Sequence, residues 1–351
     1  MEPSEVLELL KFPPEVLLKV CEDSGYQAAQ TLRKTNWAFR NFIDHFSPDP
    51  QVKSIQIRVE IPTEIYLIAK FFDPKQENLD LRYTQEHNGT CSVVRNATQR
   101  SRKERILENE DFMEVFFRDF AILQSSLIRQ RIPIEELIVK TFVQKSDRFF
   151  EKFRETLSAG NLLEVTKVHF RIYDVSEILA IFPYLAPKVL KEIFVENSRT
   201  HGDKRRRNLN LMEVSRLEAW KHADVVTIQE FVVKFPSRFM HFSKMDVHFE
   251  NVTLEDVKKV KQLFFATDTP KLHKISFHPA PHTMECYAKV LGRYSTLRSD
   301  YGYHIYHIRT PYGSEGKETF MSIGCSRIFM EMGYPDVKPD GEIIRENLGF
   351  L

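Results

Sequence analysis

Few side chains in this 351-residue sequence have the identity and spacing to do chemistry. His278, His282 and Cys286 are zinc-ligand types at the four-residue interval that one helical face would gather. Pro279 and Pro281 forbid that helix, so no metal site is predicted. Gly313-Ser314-Glu315-Gly316-Lys317 has the glycines and lysine of a phosphate loop. It is too short for one, and Glu318 stands where a Ser or Thr would have to follow the lysine, so a turn is expected. There is no Gly-x-Ser-x-Gly elbow and no Cys and His signature of a thiol enzyme, and the many carboxylates form no sequence pair. Lys204-Arg205-Arg206-Arg207 is the one strong charge cluster. It suits a phosphate backbone, a nuclear-import signal or a solvated loop. No catalytic residue and no cofactor are predicted.

Composition narrows the classes further. Fifty basic against 49 acidic side chains leave a net charge of +1, so no overall field draws the chain to nucleic acid or an anionic membrane. The cysteines, at 21, 91, 286 and 325, have no CxxC pair and read as free thiols in a reducing compartment. The first residues, Met1-Glu2-Pro3-Ser4-Glu5, lack the basic and apolar parts of a signal peptide, and no apolar run is long enough to span a bilayer. A soluble, cytoplasmic protein is expected, with nuclear entry left open. The sequons at Asn88, Asn96 and Asn251 are then chance matches.

The elements that would carry any site follow from periodicity. Paired prolines at 13 and 14 open a helix, and Glu15 suits its positive end. Val16, Leu17 and Val20 follow helical spacing, while Leu18 and Cys21 widen the apolar surface toward a second packing partner. Ala28, Leu32 and Thr35, then Phe39, Phe42, Ile43 and Phe46, predict two more short helices. Three helices in about forty residues are near the limit of an independent core, which suggests a partner protein. Ser47-Pro48-Asp49-Pro50 is a turn-rich boundary.

Residues 51–95 alternate as a small antiparallel sheet, with Asn88-Gly89 as a turn. The charged run 99–105 is expected to be a solvated connector. Phe112, Phe116, Phe120, Leu123 and Leu127 mark a long helix, with Arg129 and Arg131 near its negative end and Pro133 stopping it. Strands and helices then alternate: strands near 136–139, 168–172, 193–195, 226–228, 245–249 and 275–277, and helices opened by Ser146, by Asp174 with Glu177, and by Thr253 with Asp256, plus one at 211–220. Strand intervals of roughly 19 to 35 residues fall within repeat lengths, so a curved α/β solenoid like a leucine-rich repeat is expected ahead of a doubly wound domain. The residues alternating outward on its strands are Lys167, His169, Arg171, Glu192, Glu196, Asp246, His248, Lys274 and Ser276.

Two stretches resemble a known family. Phe12-Pro13-Pro14-Glu15-Val16-Leu17-Leu18-Lys19-Val20 resembles the opening of the F-box, and Leu32-Arg33-Lys34-Thr35-Asn36 with Phe39-Arg40-Asn41-Phe42-Ile43-Asp44 resembles its close, although Phe12 and Phe39 stand where Leu and Trp are common. Leu217–Ala223, the strand Val225–Ile228 and Phe242–Val257 resemble the FTH (F-box and tail homology) domain that follows the F-box in a large nematode family. The expected organisation is an F-box at 8–47, the strand region at 51–95, an FTH domain of βα repeats at 110–285, and a tail at 286–351 partly folded against it.

The resemblance implies a substrate-recognition subunit of an SCF (Skp, cullin, F-box) ubiquitin ligase that does no chemistry itself. Phe12, Pro13, Leu17, Leu18, Val20 and Leu32 would dock on a Skp-type adaptor and through it a cullin. His169, Arg171, Glu192, Glu196, Asp246, His248 and Lys274 would face a target protein. Two other classes stay open: an enzyme with an unrecognised α/β site, and a nucleic-acid binder using Lys204 to Arg207.

Overall fold

In the computed structural model the described residues are 12–86, 89–95, 103–144, 146–198, 207–234, 236–265, 272–279, 286, 294–298, 304–312, 317–324 and 328–333. The chain divides into two compact units, Met1–Lys191 with Ser198–Thr200, and Glu192–Asn197 with His201–Leu351.

Among the described residues the first unit opens with three helices, α1 (Pro14–Ser24), α2 (Tyr26–Thr35) and α3 (Trp37–Phe46). Pro14 occupies the first helical position, as expected. Gly25, at φ +82°, makes the corner between α1 and α2, and Asn36 caps α3 by accepting from the Ala38 N–H at 2.7 Å. Cys21, Ala29 and Ile43 form the small core, with Leu32 and Phe42 packed against it.

Seven strands follow: β1 (Val52–Ile61), β2 (Glu64–Phe71), β3 (Leu79–Gln85), β4 (Cys91–Arg95), β5 (Lys103–Leu107), β6 (Ile134–Thr141) and β7 (Val165–Ile172). The first five form antiparallel neighbours, and β1 also pairs in parallel with β6, and β6 with β7. The sheet order is therefore β5-β4-β3-β2-β1-β6-β7. The strands of 51–95 are thus continuous with the parallel strands, where sequence periodicity gave only local pairing. Part of the charged run expected as a connector is a strand: Lys103, Glu104 and Arg105 lie exposed on β5, the edge at which charge guards against further pairing. The turn at Asn88 lies outside the described residues, while Gly89 has the positive φ, +73°, expected of that turn.

One face of this sheet is apolar and covered by α4 (Phe112–Ser126) and α5 (Asp147–Ala159). Asp111 caps α4 by accepting from the N–H groups of Met113 and Glu114. Phe116 packs edge-on against Tyr83 at 5.5 Å, and Phe116, Phe117 and Phe120 interlock with Phe149 and Phe153. Such aromatic pairs add to the burial of their own area. The short α6 (Val175–Leu179) follows β7, capped by Asp174.

Arg129 corrects one expectation. Its guanidinium donates to the carbonyls of Phe46 (2.8 Å) and His45 (3.2 Å), capping the end of α3 and not its own helix. Arg131 meets Glu22 at 3.0 Å, Gln27 donates to the Glu77 carbonyl at 2.7 Å and accepts from Arg95, and Tyr26 stacks on Phe71. The three helices are thus fastened to the sheet at several points.

The second unit contains β8 (Glu192–Asn197), β9 (Arg207–Leu209), α7 (Glu218–His222), β10 (Val225–Gln229), β11 (Phe231–Val233), β12 (Lys244–Val252), α8 (Leu254–Phe265), β13 (Leu272–Pro279), β14 (Tyr294–Arg298), β15 (His304–Tyr312), β16 (Lys317–Gly324) and β17 (Ile328–Gly333). The pairs β8–β10, β10–β12 and β12–β13 are parallel; β14 to β17 are antiparallel, with β17 beside β13. The expected helix at 211–220 is a single 3-10 turn followed by the short α7, which buries Trp220 against Phe239 and Phe242. Beyond β13, within the segment expected as a partly folded tail, the described residues form the antiparallel strands β14 to β17. Thr253 and Asp256 form the expected reciprocal cap of α8, their side chains 2.7 Å apart.

Candidate functional site

Two surfaces of the first unit concentrate the expected site residues. On the three-helix module, Leu17 is buried at 4% exposure and Leu32 packs on the core, so both hold the module together from inside. Phe12 is 52% exposed, Pro13 is exposed, Leu18 is half-buried, and Val16 and Val20, one turn apart, present their methyls to solvent. Trp37, 75% exposed at the start of α3, adds the largest apolar group of the module. Its exposure escapes sequence reasoning, because helical spacing tells an inward from an outward aromatic only when the neighbouring helices are known.

The second surface is the open face of the seven-stranded sheet. The strand registers pair Arg82 with Tyr66, Tyr66 with Arg58, Arg58 with Lys140 and Lys140 with Arg171. These five side chains, all half-buried, therefore form one row across β3, β2, β1, β6 and β7. Arg58 lies 4.7 Å over the Tyr66 ring, and Arg171 lies 4.7 Å over the Phe142 ring. Arg58 also meets Glu60 at 3.3 Å, and Arg82 meets Glu64 at 3.4 Å. The Tyr66 hydroxyl donates to Glu64 (3.1 Å), and partial burial raises its phenol above the ordinary range. The neighbouring row holds Gln56, Ile138 and His169, and the next holds Ser54, Glu136 and Lys167, in which Lys167 and Glu136 pair at 3.5 Å. His169 and Arg171 thus lie on an accessible face, as expected.

In the second unit Glu192 is exposed and Glu196 half-buried on β8, and Asp246 pairs in register with Lys274. His248 corrects the expectation: it is 3% exposed. Val247, His248 and Phe249 are buried in succession, the mark of a strand covered on both faces, so alternation fails there.

Glu177 is a buried titratable group that the sequence marked only as a cap. Its carboxylate accepts from the Tyr173 N–H (3.2 Å) and the Ser146 hydroxyl (3.4 Å), and burial pushes its pKa up to about 8. Ser146, expected as a helix cap, is turned to this carboxylate. Elsewhere in the unit a cleft of about 110 Å3 is lined by Gln124, Leu127, Ile128, Ile132, Leu162 and their neighbours, with Glu164 its one carboxylate. No group of three His, Cys, Asp or Glu among them could hold a metal ion. His282, Lys204 to Arg206, and 313–316 lie outside the described residues.

No helix among the described residues is long and apolar enough to cross a membrane. Residues 147–292 match the FTH domain family. The chain is also 23% identical, over 199 residues, to F-box A protein 224 of Caenorhabditis elegans, a stretch that is 54% of this chain and 48% of that protein. The chain resembles a nematode F-box protein with an FTH domain. It spans about half the length of the curated relative that it matches. No solved structure matches it. The FTH match begins at α5 and takes in Arg171 and all of the outward positions expected on the second unit. Arg58, Tyr66, Arg82 and Lys140 lie before it.

Proposed function

We propose that this chain is a non-catalytic, cytoplasmic substrate-recognition subunit of an SCF-type ubiquitin ligase. The three-helix module is its F-box and binds a Skp-type adaptor, and through it a cullin; the FTH body, read as βα repeats, holds a target protein. The observation that carries the reading is the exposure of Phe12, Val16, Val20 and Trp37 on a small helical module, ahead of a sequence matching the FTH family. Exposing apolar side chains of this size to water costs free energy, and covering them in an interface is favourable by roughly 25 cal/mol for each Å2. The chain's contribution to ubiquitin transfer is then proximity, which makes an encounter between target lysine and charged enzyme effectively unimolecular.

The test is capture of the full chain by purified Skp-type adaptor. Val16→Asp with Val20→Asp places two charges on an exposed face and leaves the module's core untouched. Capture by the native chain and its loss in this variant, with an unchanged circular dichroism spectrum, is the expected outcome. Leu17→Ala is the wrong probe, since Leu17 is core. Capture of neither refutes the adaptor reading, and equal capture of both refutes this face as its docking surface.

A further inference from the structure

We propose that the row Arg82, Tyr66, Arg58, Lys140 and Arg171 docks an acidic, extended segment of a target protein. This deepens the reading of the chain as a target holder and rests on it. The row arises from register, since five strands each present one residue at the same height on the same face. Adjacent strands lie about 4.8 Å apart, so the row runs about 19 Å. Four of its five members are cations, and three of those are arginines, whose planar forks match carboxylates two hydrogen bonds at a time.

The geometry selects a particular ligand. An extended chain laid along the row advances about 6.6 Å between residues on the same side, so four acidic residues at alternate positions span about 20 Å, the length of the row, within reach of its long cationic side chains. Arg58 stacks on Tyr66 and Arg171 on Phe142, which holds both guanidinium planes before any ligand arrives. The carboxylates that meet Arg58 and Arg82, those of Glu60 and Glu64, come from outside the row, and such partly exposed pairs exchange for an incoming carboxylate at small cost. Glu60 and Glu64 break the positive field around the row. That interruption repels a continuous polyanion and accepts discrete acidic side chains, which favours a peptide over a nucleic acid.

Fluorescence anisotropy of the purified full chain tests this, with a short labelled peptide of alternating glutamate and serine as the probe. The expected result is binding at low salt that weakens at high salt, and a loss of roughly tenfold or more in Arg58→Gln with Arg171→Gln, as each change removes a charge-assisted bond. Adaptor capture should be unchanged in that variant, so failure of the row and failure of the ligase reading are read separately. Absence of binding at low salt, equal binding by the variant, or equal binding of the matching lysine and serine peptide overturns the proposal. Tighter binding of a short oligouridylate with the same arginine dependence overturns it too, by assigning the row to nucleic acid.

Discussion

Glu177 and Gly25 show how single residues constrain this protein. The Glu177 carboxyl titrates near pH 8 in the folded chain and near 4.5 when unfolded, so the native state holds its proton more tightly. Its contribution to stability is therefore full below about pH 4.5 and is lost as pH rises to about 8, at about 1.4 kcal/mol for each pH unit of that window. Urea unfolding of the native chain should show this decline between pH 5 and 8, and Glu177→Gln should flatten it. Gly25 sits at φ +82°, and a Cβ there would lie 2.8 Å from the Gln76 side chain. Gly25→Ala should cost on the order of 1–3 kcal/mol from the positive-φ extended backbone alone, read as a lower urea midpoint. Glu177 is visible in sequence only as the far end of a capping pair, and nothing in the sequence singles out Gly25. Neither the burial of the first nor the neighbour of the second is a local property.

At the scale of elements, the sequence was legible wherever a strand or helix packs on one side. The three N-terminal helices, the phenylalanine-rich pair α4 and α5, and strands β1, β6, β7 and β10 all carry the expected period. The interlocked rings of that helix pair make a sharp test: Phe120 is fully buried against Phe116 and Phe153, and Phe120→Ala should cost about 3–5 kcal/mol, measured as a fall in thermal midpoint. Legibility failed where pairing partners are distant in sequence. The outward positions on β7 follow from alternation, but their continuation through Lys140, Arg58, Tyr66 and Arg82 depends on β1 joining an antiparallel ribbon to parallel strands. Nothing within β1 reveals that. The exposed charges of the edge strand β5 and the doubly covered β12 misled in the same way, since edge and centre are relations between strands.

At the scale of the molecule, the two units have different organisation. The first joins helices and a mixed sheet; the second runs from parallel into antiparallel pairs. Within the first, Gln27, Arg129 and Arg131 tie the three helices to the sheet and the loops beside it. Replacing all three by alanine should leave the thermal transition of the sheet nearly unchanged, because these contacts are mostly exposed. Amide exchange in α2 and α3 should accelerate relative to β1 and β6, and equal protection in native chain and variant would count against the fastening.

Those ties bear on how a proximity device is tuned. A module on a free linker samples a cloud of positions, and its effective concentration at a fixed point falls as the tether lengthens. A fastened module samples almost one. On the ligase reading, a target on the sheet face would be held at a set bearing from the adaptor, so which of its lysines come within range would be decided by the direction of this mount, and lengthening the 47–51 connection alone would not redirect it.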